Sequence, residues 1–178
     1  MPILGGSKPM ARRVIVLGLA ALLVMSARAE AGEWKLQPAD GDRGAILTME
    51  TGTALSFRFA CTADAVFVTE TGVTRLIDLK TRKPIGDDAQ AVMPPGAAMM
   101  GVLAEKAGPQ FLPAVAVKNP AGGWDLTIRL AKSDKHLKAV GKSTVMSLFT
   151  TGYTMAVQMD DTARAQWNDF MQRCATRG

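Results

Sequence analysis

The chain has 178 residues, and its formal net charge of +5 comes from 21 Lys and Arg against 16 Asp and Glu. Four of the basic residues and none of the acidic residues lie before residue 30, so the rest of the chain carries 17 basic and 16 acidic side chains. A net charge this close to zero gives no electrostatic reason to expect binding to nucleic acid or to an anionic membrane surface, and we predict no nucleic-acid partner.

The first 29 residues have the pattern of a secretory signal peptide. Three basic side chains precede an apolar run of 12 residues over 14–25, and small residues follow it up to Ala29. This run is well short of the about 20 apolar residues that span a bilayer, and no later run is longer, so we expect cleavage and no transmembrane segment in the mature chain. The sequence predicts a signal peptide over 1–29, cut after Ala29 or Ala31, and one periplasmic domain over 30–178.

Most of the mature chain has the patterns of short β-strands. Strict alternation of apolar residues is clearest over 55–61 and 124–130, and turn-forming residues join these to 65–70 and 114–118 as antiparallel hairpins. The strands predicted in chain order are 34–37, 45–50, 55–61, 65–70, 74–79, 99–104, 114–118, 124–130 and 145–150, the last with a continuation into 153–159. About eight short strands with frequent Gly and Pro breaks predict a mainly β fold, an antiparallel β-sandwich or flattened barrel.

The C-terminal segment has a helical pattern instead. Trp167, Phe170, Met171 and Cys174 fall at i, i+3, i+4 and i+7, which predicts an amphipathic helix over about 161–175. The two aspartates at 160 and 161 precede it, where a side-chain oxygen caps the first turn and negative charge is favourable.

The two cysteines are predicted to form a disulfide bond. Cys61 lies on the apolar face of its strand and Cys174 on the apolar face of the helix, so both thiols point toward the core. An exported chain meets an oxidising compartment, where an even number of cysteines indicates a bridge.

No pattern of nucleophilic catalysis is found in the sequence. The mature chain has one histidine, His136, in a polar stretch that predicts a solvated loop or short helix with this side chain at the surface. The G-x-S-x-G, S-x-x-K, P-loop and G-x-G-x-x-G motifs are all missing from the sequence, and the cysteines are not in a C-x-x-C pair. We therefore predict no catalytic residue and no cofactor.

The sequence predicts no metal site either. Eight methionines of the mature chain are dispersed rather than bunched at ligand spacing, which favours core filling over Cu(I) binding. Asp40 and Asp42 resemble half of a calcium loop, but a third acid and the distal Glu are missing. The acidic pair at 87 and 88 is flanked by Gly and Pro and is interpreted as a turn.

One uncharged segment, 89–101, is unusual for a loop because it contains two consecutive prolines and three methionines. Exposed apolar patches tend to mark binding sites, and methionine adapts to partners. The candidate partner surface consists of Met93, Pro94, Pro95, Met99 and Met100. The competing interpretation is that this segment folds over one end of the sheet.

These observations predict an exported, periplasmic, non-catalytic binding or accessory protein of the bacterial cell envelope. Its partner would be an envelope protein or a small ligand. The alternatives are an enzyme inhibitor or hydrolase with a site built from loops and, less favoured, a copper-binding carrier.

Overall fold

The structure is a computed structural model that describes residues 32–38, 44–52, 56–86, 92–93, 96–151 and 153–176. Within these ranges, nine strands form an antiparallel sheet that curls into a half-barrel, with a helix at the C-terminal end. The predicted mainly β fold, an antiparallel sandwich or flattened barrel with a C-terminal helix, is confirmed.

The strands lie in the order β1-β2-β3-β4-β7-β6-β5-β8-β9. The predicted hairpins, β3 with β4 and β6 with β7, are both antiparallel. The elements are β1 (Glu33–Pro38), β2 (Ala45–Glu50), β3 (Ser56–Cys61), β4 (Ala65–Val73), β5 (Ala98–Ala104), β6 (Gly108–Lys118), β7 (Trp124–Ala131), α1 (Lys135–Val140), β8 (Val145–Thr150), β9 (Tyr153–Gln158) and α2 (Asp161–Ala175).

The core lies between the concave side of the sheet and α2, which packs on β1 and β2. Alternation along β3 turns Phe57 and Phe59 inward, and Trp167 of α2 meets the Phe59 ring edge-on at a centroid distance of 5.0 Å. The indole Nε1 of Trp167 donates a hydrogen bond to the backbone oxygen of Leu137, 3.0 Å away, so this buried nitrogen has a partner. Aromatic packing and this hydrogen bond both help to hold the helix in place.

The disulfide between Cys61 and Cys174 joins the last strand position of β3 to the final turn of α2, with the two Cα atoms 5.7 Å apart. Both cysteines are buried. At the other end of the helix, the Asp160 carboxylate accepts a hydrogen bond from the amide of Ala163 at 2.8 Å, so the predicted capping is present. None of the helices in the described ranges is long and apolar enough to cross a membrane.

The predicted strand over 74–79 is wrong. The Asp78 carboxylate accepts hydrogen bonds from the amides of Lys80 and Thr81, at 2.9 and 2.7 Å, and these bonds close a tight turn. The turn ends the extended segment after one isolated bridge between Ile77 and Pro84. Local side-chain bonds to the backbone therefore replace the expected ladder.

The sheet divides along β6. Only Val115–Lys118 of this strand pairs with β7, whereas Gly108–Ala114 pairs with β5. Pro109 and Pro113 lack an amide donor and lie in the part of β6 that has separated from β7. Alternation along β6 buries Ala114 and Ala116 and turns the odd-numbered residues outward, on the convex side of the half-barrel.

Candidate binding surface

The convex side of the sheet carries a row of exposed apolar side chains along β6. The apolar row consists of Pro109, Phe111, Pro113, Val115 and Val117, which alternate along the strand and therefore share a face. Phe111 is 56% exposed, Val115 54% and Val117 42%. At about 3.3 Å per residue the row is roughly 26 Å long, and it contains no charged or hydrogen-bonding side chain.

Close contact with β5 and β8 holds the middle of the row in place. The rings of Phe111 and Phe149 meet edge-on with centroids 4.3 Å apart, above Gly101 of β5. A Cβ atom at Gly101 would lie 2.3 Å from the Phe149 ring and 2.1 Å from the backbone oxygen of Gln110. Only glycine allows this approach, so the orientation of Phe111 depends on a residue of another strand.

The row continues onto the segment that precedes β5. Val92 forms an isolated bridge with Val117 and is 54% exposed, and the amide of Met93 donates to the backbone oxygen of Ala116 at 3.0 Å. Part of the uncharged segment singled out in the sequence therefore lies beside the row.

The candidate partner surface predicted from the sequence does not form one exposed patch. Met100 faces the interior and is fully buried, so its inclusion was wrong, because alternation along β5 turns it inward. Met93 and Met99 are half-buried, and Met93 packs against the core. Pro94 and Pro95 lie outside the described residues.

Sequence reasoning missed the apolar row because β6 is apolar on both faces. Residues 111–117 are all apolar, so the alternation that would distinguish the buried face of the strand from the exposed face is absent. The local sequence therefore does not show which face is covered. A signal was nevertheless present: an antiparallel strand with one face in water normally alternates apolar and polar residues, and a continuous apolar run departs from that rule.

A shallow depression adjoins the row on the same convex side. It has a volume of about 290 Å³ and is lined by Arg58, Ala60, Thr62, Phe67, Thr69 and Thr127. The depression reaches the row through β7, because Thr127 pairs with Val115 across the ladder. The hydroxyls of Thr69 and Thr127 are hydrogen-bonded to each other at 3.0 Å.

The prediction of a surface His136 is wrong, since this residue is 3% exposed. It lies in the first turn of α1, where Asp134 caps the helix and accepts a hydrogen bond from the His136 amide at 2.7 Å. The imidazole Nδ1 lies 2.9 Å from the same carboxylate oxygen. Packing of α1 against β5 buries His136 together with Leu137, although their neighbours in sequence are polar.

The hydrogen bonds of Asp134 link two elements, β6 and α1. Burial tends to raise the pKa of Asp134, but the hydrogen bonds from His136 and Gln110 outweigh it and leave the pKa below its usual value. The Gln110 amide donates to this carboxylate at 3.2 Å and so ties β6 to α1 beyond the end of the β6–β7 ladder. The hydroxyl of Ser143 donates to the Ala139 oxygen and accepts from the Glu105 amide, so backbone groups occupy it. The hydrogen bonds of Asp134 and Ser143 therefore join structural elements to one another, and the Ser143 hydroxyl is already occupied by two backbone groups.

Glu70 is the one acidic side chain that the structure buries completely within the described ranges. It follows Val66 and Val68 on the inward face of β4, and its register partners are Phe57 and Leu126. Neither carboxyl oxygen has a hydrogen-bond partner. Burial alone raises the pKa of Glu70 from its ordinary value of 4.5 to about 7.

Most methionines fill the core. Among the described residues, no three His, Cys, Asp or Glu side chains are grouped so that they could hold a metal ion. The aspartates at 40, 42, 87 and 88 lie outside the described ranges. The fully or nearly fully buried methionines are Met49, Met100, Met146, Met155 and Met159.

Comparisons of the chain with protein-family models, with curated proteins and with solved structures find no match.

Proposed function

We propose that this protein is an exported, non-catalytic binding module of the bacterial cell envelope, and that it binds a partner protein through the apolar row of β6. The observation that supports the proposal is the exposure of a row of five apolar side chains next to one another on a sheet face. Monomeric soluble proteins rarely expose a large contiguous apolar patch without a binding role.

The chemistry of the row defines the partner. Burying a charge against an uncharged, apolar surface is costly, so the partner must present apolar side chains with few charges. The row is stiff, since prolines, β-branched valines and a packed phenylalanine have few rotamers to lose on binding. A partner that lays a strand or helix face along the roughly 26 Å of the row would cover all five side chains.

The proposed periplasmic location is supported by the signal-peptide pattern over 1–29 and by the disulfide, which suits an oxidising compartment. We expect the intact mass of the protein from the periplasmic fraction of the producing bacterium to fit a chain that starts at Glu30 or Gly32. A membrane-bound form that retains residues 1–29 would contradict the location.

The partner proposal predicts site-specific crosslinking. A photoreactive phenylalanine derivative at position 111 or 115 should form one adduct of defined mass in the periplasm, because the partner covers the apolar row. The same probe in place of Gln37, which is exposed on the convex side of β1, should not. Once mass spectrometry identifies the adduct, binding of the purified partner can be measured directly.

In that measurement, Val115→Lys should weaken binding by at least about tenfold, since it removes buried apolar area and introduces a charge. Gln37→Lys adds the same charge outside the row and should leave binding unchanged. Equal labelling from positions 37 and 115 would contradict the proposal, and so would an adduct consisting only of a second copy of this chain.

A further inference from the structure

We propose that the depression beside the apolar row is a binding site for a small organic anion, in which Arg58 holds the oxyanion and Phe67 with Ala60 contacts its apolar body. This inference goes beyond the proposed function, because the ligand is a small molecule and its site lies on β3, β4 and β7 rather than on β6. The depression has a volume of about 290 Å³, which is at the small end of the range for ligand pockets.

Among the arginines that the structure describes, Arg58 combines partial burial with the lack of an acidic partner, whereas Arg75 and Arg82 also form no ion pair but are exposed. Arg129 is paired with Asp64 at 2.6 Å, and Arg173 is paired with Asp169 at 2.9 Å. Within the described part of the chain, the Arg58 side chain forms no ion pair and no hydrogen bond. It is half-buried on β3, and its guanidinium donors remain available for a carboxylate, whose geometry they match.

The threonine pair provides one further donor. In the hydrogen bond between Thr69 and Thr127 one hydroxyl donates and the other accepts, so one of the two keeps its proton for a third group. Thr69 lies directly opposite Arg58 in the ladder between β3 and β4. An oxyanion held by the guanidinium therefore lies within the reach of neighbouring side chains on one sheet face.

The remaining wall of the depression is apolar. Phe67 pairs with Ala60 across the same ladder, and the phenylalanine is half-buried while the alanine is 9% exposed. These side chains offer no hydrogen bond but do offer contact area to a ring or a short chain. A guanidinium that can hold an oxyanion, next to an apolar wall, favours a carboxylate attached to a small apolar group over an inorganic anion.

Two carboxylates on the convex side near the depression are paired with basic side chains. The Asp64 carboxylate accepts a hydrogen bond from Thr62 and is paired with Arg129, and its pKa is lowered first by Thr62 and then by Arg129. Glu50, farther along the convex side, is paired with Lys35 at 3.2 Å. The cation that lines the depression, Arg58, has no acidic partner among the described residues.

Benzoate is a suitable probe, with acetate and benzyl alcohol to separate the contributions of the charge and the ring. In an NMR titration, we expect saturable benzoate shifts centred on residues 58–62, 67–69 and 127, and binding at least about tenfold weaker for each of the other two compounds. Arg58→Gln should weaken benzoate binding by about 10- to 100-fold, the range for losing a charge-assisted hydrogen bond. Arg75→Gln removes the same charge from an exposed arginine that does not line the depression, and it should leave binding unchanged.

Thr127→Val provides a second test that leaves Arg58 in place, and it should weaken benzoate binding by several-fold. The proposal is overturned if benzoate shifts spread evenly over the basic residues of the surface, if they persist in Arg58→Gln, or if acetate binds as tightly as benzoate. The spectrum of each variant shows directly whether it is folded, so a loss of binding is separated from a loss of structure.

Discussion

Replacing Cys61 or Cys174 with alanine should lower the free energy of unfolding by about 2 to 5 kcal/mol. The bond joins residues 113 positions apart, and in the chain-entropy model a loop of about 100 residues corresponds to roughly 4.7 kcal/mol. Urea denaturation of the oxidised protein and of each variant measures the difference.

The double variant is the informative control for this prediction. One bond is lost in all three variants, so the double variant should be little less stable than either single one, and the wild-type protein under reducing conditions should match it. Losses that simply add would show that each cysteine acts through its own packing instead of through the bond. Hydrogen exchange under reducing conditions should show α2 opening before the β3–β4 hairpin, because the bond anchors the last turn of the helix.

Stability should fall as the pH rises from about 4 to 8, through the titration of Glu70. In the unfolded chain this carboxyl loses its proton near the ordinary value of 4.5, whereas in the folded protein its pKa is about 7. Between these values the unfolded state releases a proton that the folded state retains, so the stabilisation present below pH 4.5 is lost by pH 8. The difference in pKa corresponds to about 3 kcal/mol.

Comparison with Glu70→Gln isolates this effect from other titrations. The stability of the wild-type protein relative to this variant should decrease by about 3 kcal/mol across the pH range, and Glu70→Leu should be more stable than wild type at pH 8 because it removes an unpartnered buried carboxyl. Glu50→Gln, on an exposed side chain of β2, is the matched control and should show no comparable change. A constant difference between wild type and Glu70→Gln would mean that Glu70 reaches solvent or a partner in the folded protein.

Local patterns of the sequence determined several elements of this fold. Period-two alternation predicted β3 and β7 to within a residue of their observed ends, and the spacing of Trp167, Phe170 and Cys174 predicted α2. These predictions succeed because backbone geometry alone sets the two periods, and a half-covered strand or helix must place its apolar side chains on one face.

The disulfide was predicted in part from the sequence and depended in part on the tertiary structure. The sequence showed that Cys61 and Cys174 both face inward and that an oxidising compartment favours a bond. The distance of 5.7 Å between their Cα atoms follows only from the way α2 crosses β1 and β2. Two inward faces are necessary for a bond between distant residues, but the packing of the elements decides whether those faces meet.

The candidate site depended on the tertiary structure. Arg58 and Thr127 are 69 positions apart, and they line one depression because β4 lies between β3 and β7 in the sheet. Strand order likewise decided that the outward face of β6 stays uncovered and that α1 buries His136 against β5. The periodicity of a sequence shows which side chains of a segment share a face. Whether that face is exposed depends on the other segments that pack against it, and those segments are distant in the chain.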